Sequence, residues 1–506
     1  MPDEQFLKEI DKFVEEFLIT YKQNLNKKKD EKVVHDALWG TNSIKPHEVA
    51  IIDTPLIQRL RQIKQTGFTF LVFPSAIHTR FEHTLGVIFQ SQKLLSALLQ
   101  REGSVDLLAG KIDQIRAAAL LHDCGHGPMS HTSEEIYKCL PDMQKLIGKG
   151  EEHEEGNPHE ILSYYIVTNK KFKEYFNELM VIYEKSIDLE DAASMIIGRC
   201  EKPEDKYITD VLNGPFDADK LDYLFRDGHF SGIPLKVDLD RLWYSARIET
   251  VPCSGKKIRM LVVSTNGITP LEQILFSKMV LFTSVYQHHK VRTCDCMMKA
   301  VYRYCIDNKR EIDGRTLENS TDFLWITDDT FFAEAQKLDK KDPLHIMIHN
   351  ILYRRLLKRA LIISKPTVDK KDEEFFSYTN LKKFQTDIYN KDHELRSLAT
   401  EIWEIAGKPC SLYDVWVDLP KLPPTGTADD TYVRTGTQDN PDFEKLSDIF
   451  KVDDWAEDYT EHKWRGHVFC PNDNNIRKKI SNASVEVFKN KFGIEFKSSA
   501  QTLCKI

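Results

Sequence analysis

The sequence lacks the features that would place it in several large functional classes. No run approaches the ~18 consecutive apolar residues that a membrane-spanning helix needs, so no membrane-integral segment is expected. Positive charge is not in excess: 70 basic against 78 acidic side chains leave a net charge of −8. The surface as a whole therefore does not suit a nucleic-acid backbone, although a local basic pocket can still hold an anion. The ten cysteines are scattered without paired spacing. Cys294-Asp295-Cys296 has the wrong spacing for a zinc knuckle, so these thiols are expected to pack within a helix. The opening residues Met1-Pro2-Asp3-Glu4 carry no basic, apolar and cleavage-site pattern. Together these absences predict an intracellular, reducing compartment, nucleus or cytoplasm. Internal repeats, a Walker phosphate loop and a dinucleotide glycine fingerprint are absent too, so a bound phosphate would be held by other chemistry.

What is present is a long, ordinary globular composition: 506 residues, 29% charged and 41% hydrophobic, enough for two to four packed units. Phe6, Ile10, Phe13, Phe17 and Tyr21 recur at helical spacing, and the charged stretch from Lys27 to Lys32 follows, so residues 1–30 read as an amphipathic helix and linker. From 31 to 365 the pattern is helix after helix, with short strand-like pieces at Lys257–Ser264 and Ala360–Ser364. From 366 to 506 the composition shifts to charged segments and a turn-rich stretch from Leu419 to Asp442, which predicts a smaller second lobe. The expected fold is mainly α, a helical bundle with an α+β C-terminal lobe.

The informative pattern is a spread of His and Asp on predicted helices: His83, the adjacent His122-Asp123, and Asp219. Two imidazoles and two carboxylates suit a borderline divalent cation, and such ligands converge readily in a bundle core. A single helical His is ordinarily a core or capping residue, and one His-Asp pair is common by chance; the context strengthens the set. Thr79 and Glu82 fit a capping box, which puts Arg80 and His83 on one helix entrance. The run Ala117–Leu121 leads into His122 and Asp123, and Gly125, Gly127 and Pro128 then end the helix. Neighbouring helical positions diverge by about 100°, so His122 and Asp123 share an ion only if it lies between them. Asp219, Tyr223 and Asp227 at i, i+4 and i+8 line one face, against the plainer reading of an N-capping Asp217 followed by a solvated helix. His126, His131 and His159 are further imidazoles able to donate a proton or steady phosphate charge. Surface histidines without a role are the usual alternative.

In this order, His83, His122-Asp123 and Asp219 resemble the H, HD, D signature of the HD superfamily. The flanking words Asp53-Thr54-Pro55, Gln58-Arg59-Leu60-Arg61, Arg80-Phe81-Glu82-His83, Leu85-Gly86-Val87, Gly125-His126-Gly127-Pro128 and Asp219-Lys220 with Asp222-Tyr223 narrow this. From about Lys32 to Lys358 the chain is similar to the SAM-and-HD-domain deoxynucleoside triphosphate triphosphohydrolase family. That resemblance implies cleavage of a dNTP at the α-phosphate into a deoxynucleoside and inorganic triphosphate. It implies a divalent metal (Zn, Fe, Mn or Mg) held by His83, His122, Asp123 and Asp219. His159 matches the proton-donating histidine, in a His-Glu-x-x-Ser pattern completed by Ser163, with His153 as a competing alignment; His126 and His131 match a phosphate-contacting pair. For substrate, the resemblance implies Gln65, Thr66, Arg80, Lys220, Tyr223, Asp227, Tyr286 and His288. Lys278 stands where the family has an arginine, keeping one cation but losing a bidentate grip.

For regulation, the resemblance implies activation by GTP and a dNTP in paired allosteric sites and assembly from dimer to tetramer. Lys32, Val33, Asp53, Gln58, Arg61, Arg354 and Lys358 fit the guanine-nucleotide part, His35 replaces an asparagine there, and Arg241 matches the second site. Two further cations of that second site fall at Ser264 and Asn266, so altered activation is expected. Too few residues precede Lys32 for a SAM domain. Two other readings remain open: a different HD-type nucleotide phosphohydrolase, or a catalytically silent scaffold that binds nucleotide or, weakly, single-stranded nucleic acid.

Overall fold

A computed structural model describes the whole chain except residues 1, 21–27, 148–155, 201, 254, 390–391, 423–429, 438–439 and 505–506. Tyr21, Lys27 and the alternative His153 lie outside the described residues. The fold is predominantly helical with small sheets, as the periodicity predicts. None of the described helices is long and apolar enough to cross a membrane. The chain groups into two compact units that interleave along the sequence: Met1–Lys278 with Ile312–Phe331 and Thr427–Phe450, and Met279–Glu311 with Phe332–Gly426 and Lys451–Ile506.

In the first unit the N-terminal amphipathic helix spans Glu4–Phe17, capped by Asp3, and buries Phe6, Ile10 and Phe13. Two short strands follow, β1 (Lys32–Asp36) and β2 (Gly40–Ile44), paired antiparallel. The helical periodicity alone did not reveal this hairpin, because its strands are five residues each and β1 exposes Val33. The bundle centres on the helix Arg80–Leu98, which packs against Ile112–Leu121 and Ala218–Ser231. These three are apolar where they meet: Val87, Ile88, Ala118, Ala119 and Leu221 are fully buried.

Strands β3 (Ala246–Cys253) and β4 (Lys256–Ser264) form a second hairpin. The chain closes this sheet from far downstream. After β5 (Lys358–Ile363) and β6 (Trp416–Asp418), which belong to the other unit, β7 (Tyr432–Gly436) pairs parallel to β4 and β8 (Pro441–Lys445) pairs with β7. That pairing is why residues near 440 group with the N-terminal half. In the second unit, β9 (Gly466–Cys470) lies between β5 and β6. Its core gathers Phe376, Ile402, Val417, Trp464, Val468 and Phe488. Cys294 and Cys296 are buried thiols on the helix His289–Asp307, and burial pushes both up. That fits packing rather than metal binding.

Candidate metal and catalytic centre

Each side chain of the centre is delivered by a local signal legible in the sequence. Thr79 precedes the helix Arg80–Leu98, and its backbone N–H donates to Glu82 Oε2 at 2.5 Å, so the capping box places Arg80 and His83 on the first turn. The helix Ile112–Leu121 ends with His122 as its C-cap. Asp217 caps the helix Ala218–Ser231, accepting from Lys220 N at 2.6 Å, which sets Asp219 on the opening turn. Three helix ends thus converge.

Their donor atoms meet at ligand spacing. His83 Nε2 lies 2.9 Å from Asp219 Oδ1 and 3.8 Å from Asp123 Oδ2, and His122 Nε2 lies 3.4 Å from Asp123 Oδ1 and 3.8 Å from Asp219 Oδ1. Ligands about 2.1 Å from one ion would stand roughly 3.0–3.4 Å apart. The other nitrogen of each imidazole is already committed. His122 Nδ1 donates to Ala119 O at 2.8 Å, which leaves Nε2 buried without a hydrogen-bond partner. His83 Nδ1 donates to Asp222 Oδ2 at 2.8 Å. Asp222 in turn accepts from Arg226 at 2.8 and 2.9 Å and from the Trp39 indole. This is the outer support that fixes a metal-ligating histidine. This cluster fits a divalent metal: two aimed imidazole nitrogens, one of them the orphaned His122 Nε2, and the carboxylates of Asp123 and Asp219. Asp219, one-third exposed, gives the cluster an open side.

Gly86 explains part of the support. A Cβ there would fall 1.8 Å from Asp222 Oδ1, so only glycine admits the carboxylate against the helix. Gly125 does the same for the next element: a Cβ would lie 2.4 Å from His159 O and 2.5 Å from Ser163 N. Ser163 Oγ donates to His122 O and accepts from Gly125 N, tying the helix Pro158–Val167 to the turn after Asp123.

Beside the cluster stand three imidazoles. His126 stacks on His159 with centroids 3.8 Å apart, and His131 meets both at 5.4 and 5.7 Å. His126 Nε2 lies 3.2 Å from Asp123 Oδ1; burial and the Arg80 charge hold its pKa well below the usual imidazole range, so it stays neutral. His159 is the reverse. Burial pulls it down, but Glu134, whose Oε2 accepts from Nδ1 at 2.6 Å, raises it to about 9. Two stacked histidines thus hold opposite protonation at neutral pH, the arrangement that separates an acid from a neutral neighbour.

Arg80 links the parts: it donates to Ser130 Oγ and Asp123 Oδ2 at 3.0 Å and to His131 Nε2 at 3.3 Å. Gln65 and Thr66 sit on the segment whose Lys64 bridges Thr79, and Gln65 Oε1 and Thr66 Oγ1 are buried without hydrogen-bond partners. Lys220 is held by Asp217 and by Gly214 O, and it depresses buried Lys278 to about 8, after burial itself. Asp227 accepts from His78 Nε2 at 2.7 Å, one helical turn from Tyr223. Tyr286 and His288 belong to the second unit.

Of the expected regulatory residues, Lys32 pairs with Asp53 at 3.1 Å, and Arg61 Nε donates to Gln58 while its guanidinium lies 3.5 Å over the Phe81 ring. His35 Nδ1 lies 3.2 Å from Thr41 Oγ1, and Val33 is exposed. Arg241 Nε donates to Asn266 O at 2.9 Å. Arg354 and Lys358 line one cavity of about 680 Å³ in the second unit.

Sequence reasoning missed four supports. Glu134 was visible only as an acid three residues after His131. Asp222 carried a signal, being four residues before Arg226, but its acceptance from His83 did not. His78, 149 residues from Asp227, and Asp328 left no local trace. Asp328 accepts from Met129 N at 2.7 Å and Lys64 N at 3.0 Å. It pins a turn in which Met129 and Ser130, neither a glycine, adopt φ of 56° and 50°. Left-handed backbone at non-glycine residues is strain of the kind found at functional sites.

The bundle and its His/Asp centre define an HD-type domain, and residues 80–224 match the HD domain family. Residues 237–495, 259 of 506, match the HD associated region; the chain belongs to the HD family that carries this region. It is 29% identical over 400 residues to an uncharacterized protein of Methanocaldococcus jannaschii, covering 78% of this chain and 70% of that one. It is 27% identical over 336 residues (65% and 60%) to the deoxynucleoside triphosphate triphosphohydrolase SAMHD1 homolog of Dictyostelium discoideum. To the deoxynucleoside triphosphate triphosphohydrolase SAMHD1 of Gallus gallus it is 30% identical over 289 residues (54% and 45%). The match thus spans only about half the length of its named relatives.

Proposed function

We propose that the chain is a metal-dependent dNTP triphosphohydrolase, releasing a deoxynucleoside and inorganic triphosphate. The observation that carries this is the placing of His159, whose Nδ1 lies 2.6 Å from Glu134 Oε2 and whose Nε2 lies 3.9 Å from Asp123 Oδ1, beside the His83/His122/Asp123/Asp219 cluster. A divalent ion held there would draw off phosphate charge and favour ionisation of water. Water attacks the α-phosphorus and gives up a proton to solvent, while His159 donates its proton to the departing sugar oxygen as the P–O bond to the sugar breaks. Neutral His126, with His131, Arg80, Lys220 and Lys278, offers donors and charge to the triphosphate. Gln65 and Thr66 supply unpaired oxygens for the sugar side, and Tyr223 with Asp227 reads its 3′-hydroxyl. Tyr286 and His288 join the substrate set by resemblance.

In this reading residues 31–365 carry catalysis and 366–506 serve regulation and assembly, with residues 1–30 a helix and linker. Guanine nucleotide would bind through Lys32, Val33, His35, Asp53, Gln58, Arg61, Arg354 and Lys358, with Arg241 for a second nucleotide, and the homo-oligomer would control dNTP pools.

The test incubates purified chain with dGTP and Mg²⁺ or Mn²⁺, with and without GTP, beside Asp219→Ala, and resolves products by ion exchange. Deoxyguanosine plus intact triphosphate, absent from the variant, is expected. Release of orthophosphate or pyrophosphate instead would indicate a different HD phosphohydrolase, and no turnover with any dNTP would indicate a binding scaffold.

A further inference from the structure

His78 joins two residues that the proposed function places at the sugar. It lies just before the helix Arg80–Leu98, where Thr79 and Lys64 bridge as antiparallel neighbours. Across that bridge the His78 carbonyl accepts from Gln65 N at 3.0 Å. The imidazole is fully buried, and its Nε2 donates to Asp227 Oδ1 at 2.7 Å. Its face stacks on Phe230, with centroids 4.7 Å apart and planes 16° from parallel. Asp227 and Phe230 both belong to the helix Ala218–Ser231. One residue thus holds Gln65 through its backbone and Asp227 through its side chain.

A buried histidine that serves only the fold ordinarily satisfies both ring nitrogens, because a buried polar atom without a partner is costly. In His78 the Nδ1 is buried without a hydrogen-bond partner. Among the described residues, Asp227 is therefore the ring's sole hydrogen-bond partner. The stack on Phe230 fixes the plane of the ring, and the bond to Oδ1 then fixes the rotation of the carboxylate. A carboxylate held in this way presents its acceptors in one orientation, which is what a substrate-positioning group requires.

We propose that His78 is a positioning residue that sets how strongly the site discriminates a sugar 3′-hydroxyl from a 3′-hydrogen, acting through Asp227. This rests on the reading of Asp227 given under the proposed function. The carboxylate that His78 holds accepts the hydroxyl proton. A 2′,3′-dideoxy substrate offers no donor there and leaves a buried acceptor unpaired, the situation in which a polar pocket rejects an analogue most strongly. Released from His78, the carboxylate can turn to other partners, and the penalty for the missing hydroxyl falls.

The test measures kcat/KM of the full chain for dGTP and for 2′,3′-dideoxy-GTP, with Mn²⁺ and saturating GTP throughout, in wild type, His78→Phe and His78→Gln. Phenylalanine keeps a ring on Phe230 but has no donor; glutamine restores an N–H at similar reach. Wild type should favour dGTP. His78→Phe should lower kcat/KM for dGTP by about tenfold, the loss of one hydrogen bond to a charged group, mainly through KM. Dideoxy-GTP should be nearly unaffected, so the preference shrinks by the same factor, and His78→Gln should recover most of it. An unchanged preference in His78→Phe overturns the proposal, as does an equal loss for both nucleotides, which marks a merely structural role. Equal use of both nucleotides by wild type overturns it too. Wild type that turns over no dNTP overturns the proposed function itself, and this proposal with it. Circular dichroism checks folding; should His78→Phe unfold, His78→Asn, whose amide is too short to reach Asp227, takes its place.

Discussion

Around His83 each buried carboxylate is answered by a cation of the chain itself. Asp123 has Arg80, Asp222 has Arg226, and Glu134 has His159. Around His467, on β9 of the second unit, the balance is one-sided: Arg359, Lys463 and Arg465 line a cavity of about 360 Å³ with no carboxylate in its lining. The first arrangement is preorganised: its ligands are aimed before any ion binds, and what it lacks is a cation between them. The second carries an excess of positive charge. A site whose charges are internally paired can be broken by removing either partner, because an uncompensated buried charge is left behind. Removing one cation near solvent leaves no uncompensated buried charge.

The largest effect should come from the ligands. His122→Ala and Asp219→Ala should each reduce metal content and turnover by more than about 100-fold, since outer supports alone are worth 10–100-fold; metal analysis of purified protein checks the first and product assay the second. The second unit should keep its fold in both variants, and a change in its thermal unfolding would break the contrast.

Next is Glu134→Gln. In the folded chain the raised His159 is protonated below about 9 and loses its proton as pH rises through that value. Its pairing with Glu134 therefore stabilises the fold fully below the ordinary imidazole value of 6.5 and ceases to do so above about 9. Removing the carboxylate leaves burial to pull the ring down against the smaller effects of Glu160 and Asp123. The alkaline limb of the rate profile should then move from near 9 to lower pH, with activity at pH 8 falling by up to about 100-fold, the lower end of what general acids contribute. A limb that stays in place would remove His159 as the acid.

Gly86→Ala is smaller and tests the outer support alone. Its methyl must displace Asp222 from His83, so metal affinity should fall about tenfold and stability by about 1–3 kcal/mol through overpacking. Metal titration followed by thermal denaturation separates the two, and unchanged metal affinity would show that Asp222 does not orient His83.

The contrast also explains what was legible. Each of the four candidate ligand residues sits beside a cap or helix stop that is local in sequence, so their placement could be read from Thr79, Glu82, Asp217 and the break after Asp123. Supports arriving from other helices could not be: Asp328 reaches Met129 across 199 positions and His78 reaches Asp227 across 149. Nor could strand pairing, since β7 joins β4 only because Val433 comes beside Val263. The cavity around His467 joins residues near 289, 359 and 465, none of which carries a motif.

The smallest effect belongs to the surface patch around Lys32. Its ammonium meets Asp53 at 3.1 Å, but the two side chains are 53% and 33% exposed, and such screened pairs are worth at most ~1 kcal/mol. Lys29 also reaches Asp53, at 3.2 Å, and would retain part of the pairing. Lys32→Ala should therefore change thermal stability by less than about 0.5 kcal/mol, while weakening any response to GTP, because the lysine that Asp53 orients would no longer meet the nucleotide. Unchanged GTP activation in a fully stable Lys32→Ala protein would detach this patch from regulation and leave it an ordinary solvated ion pair.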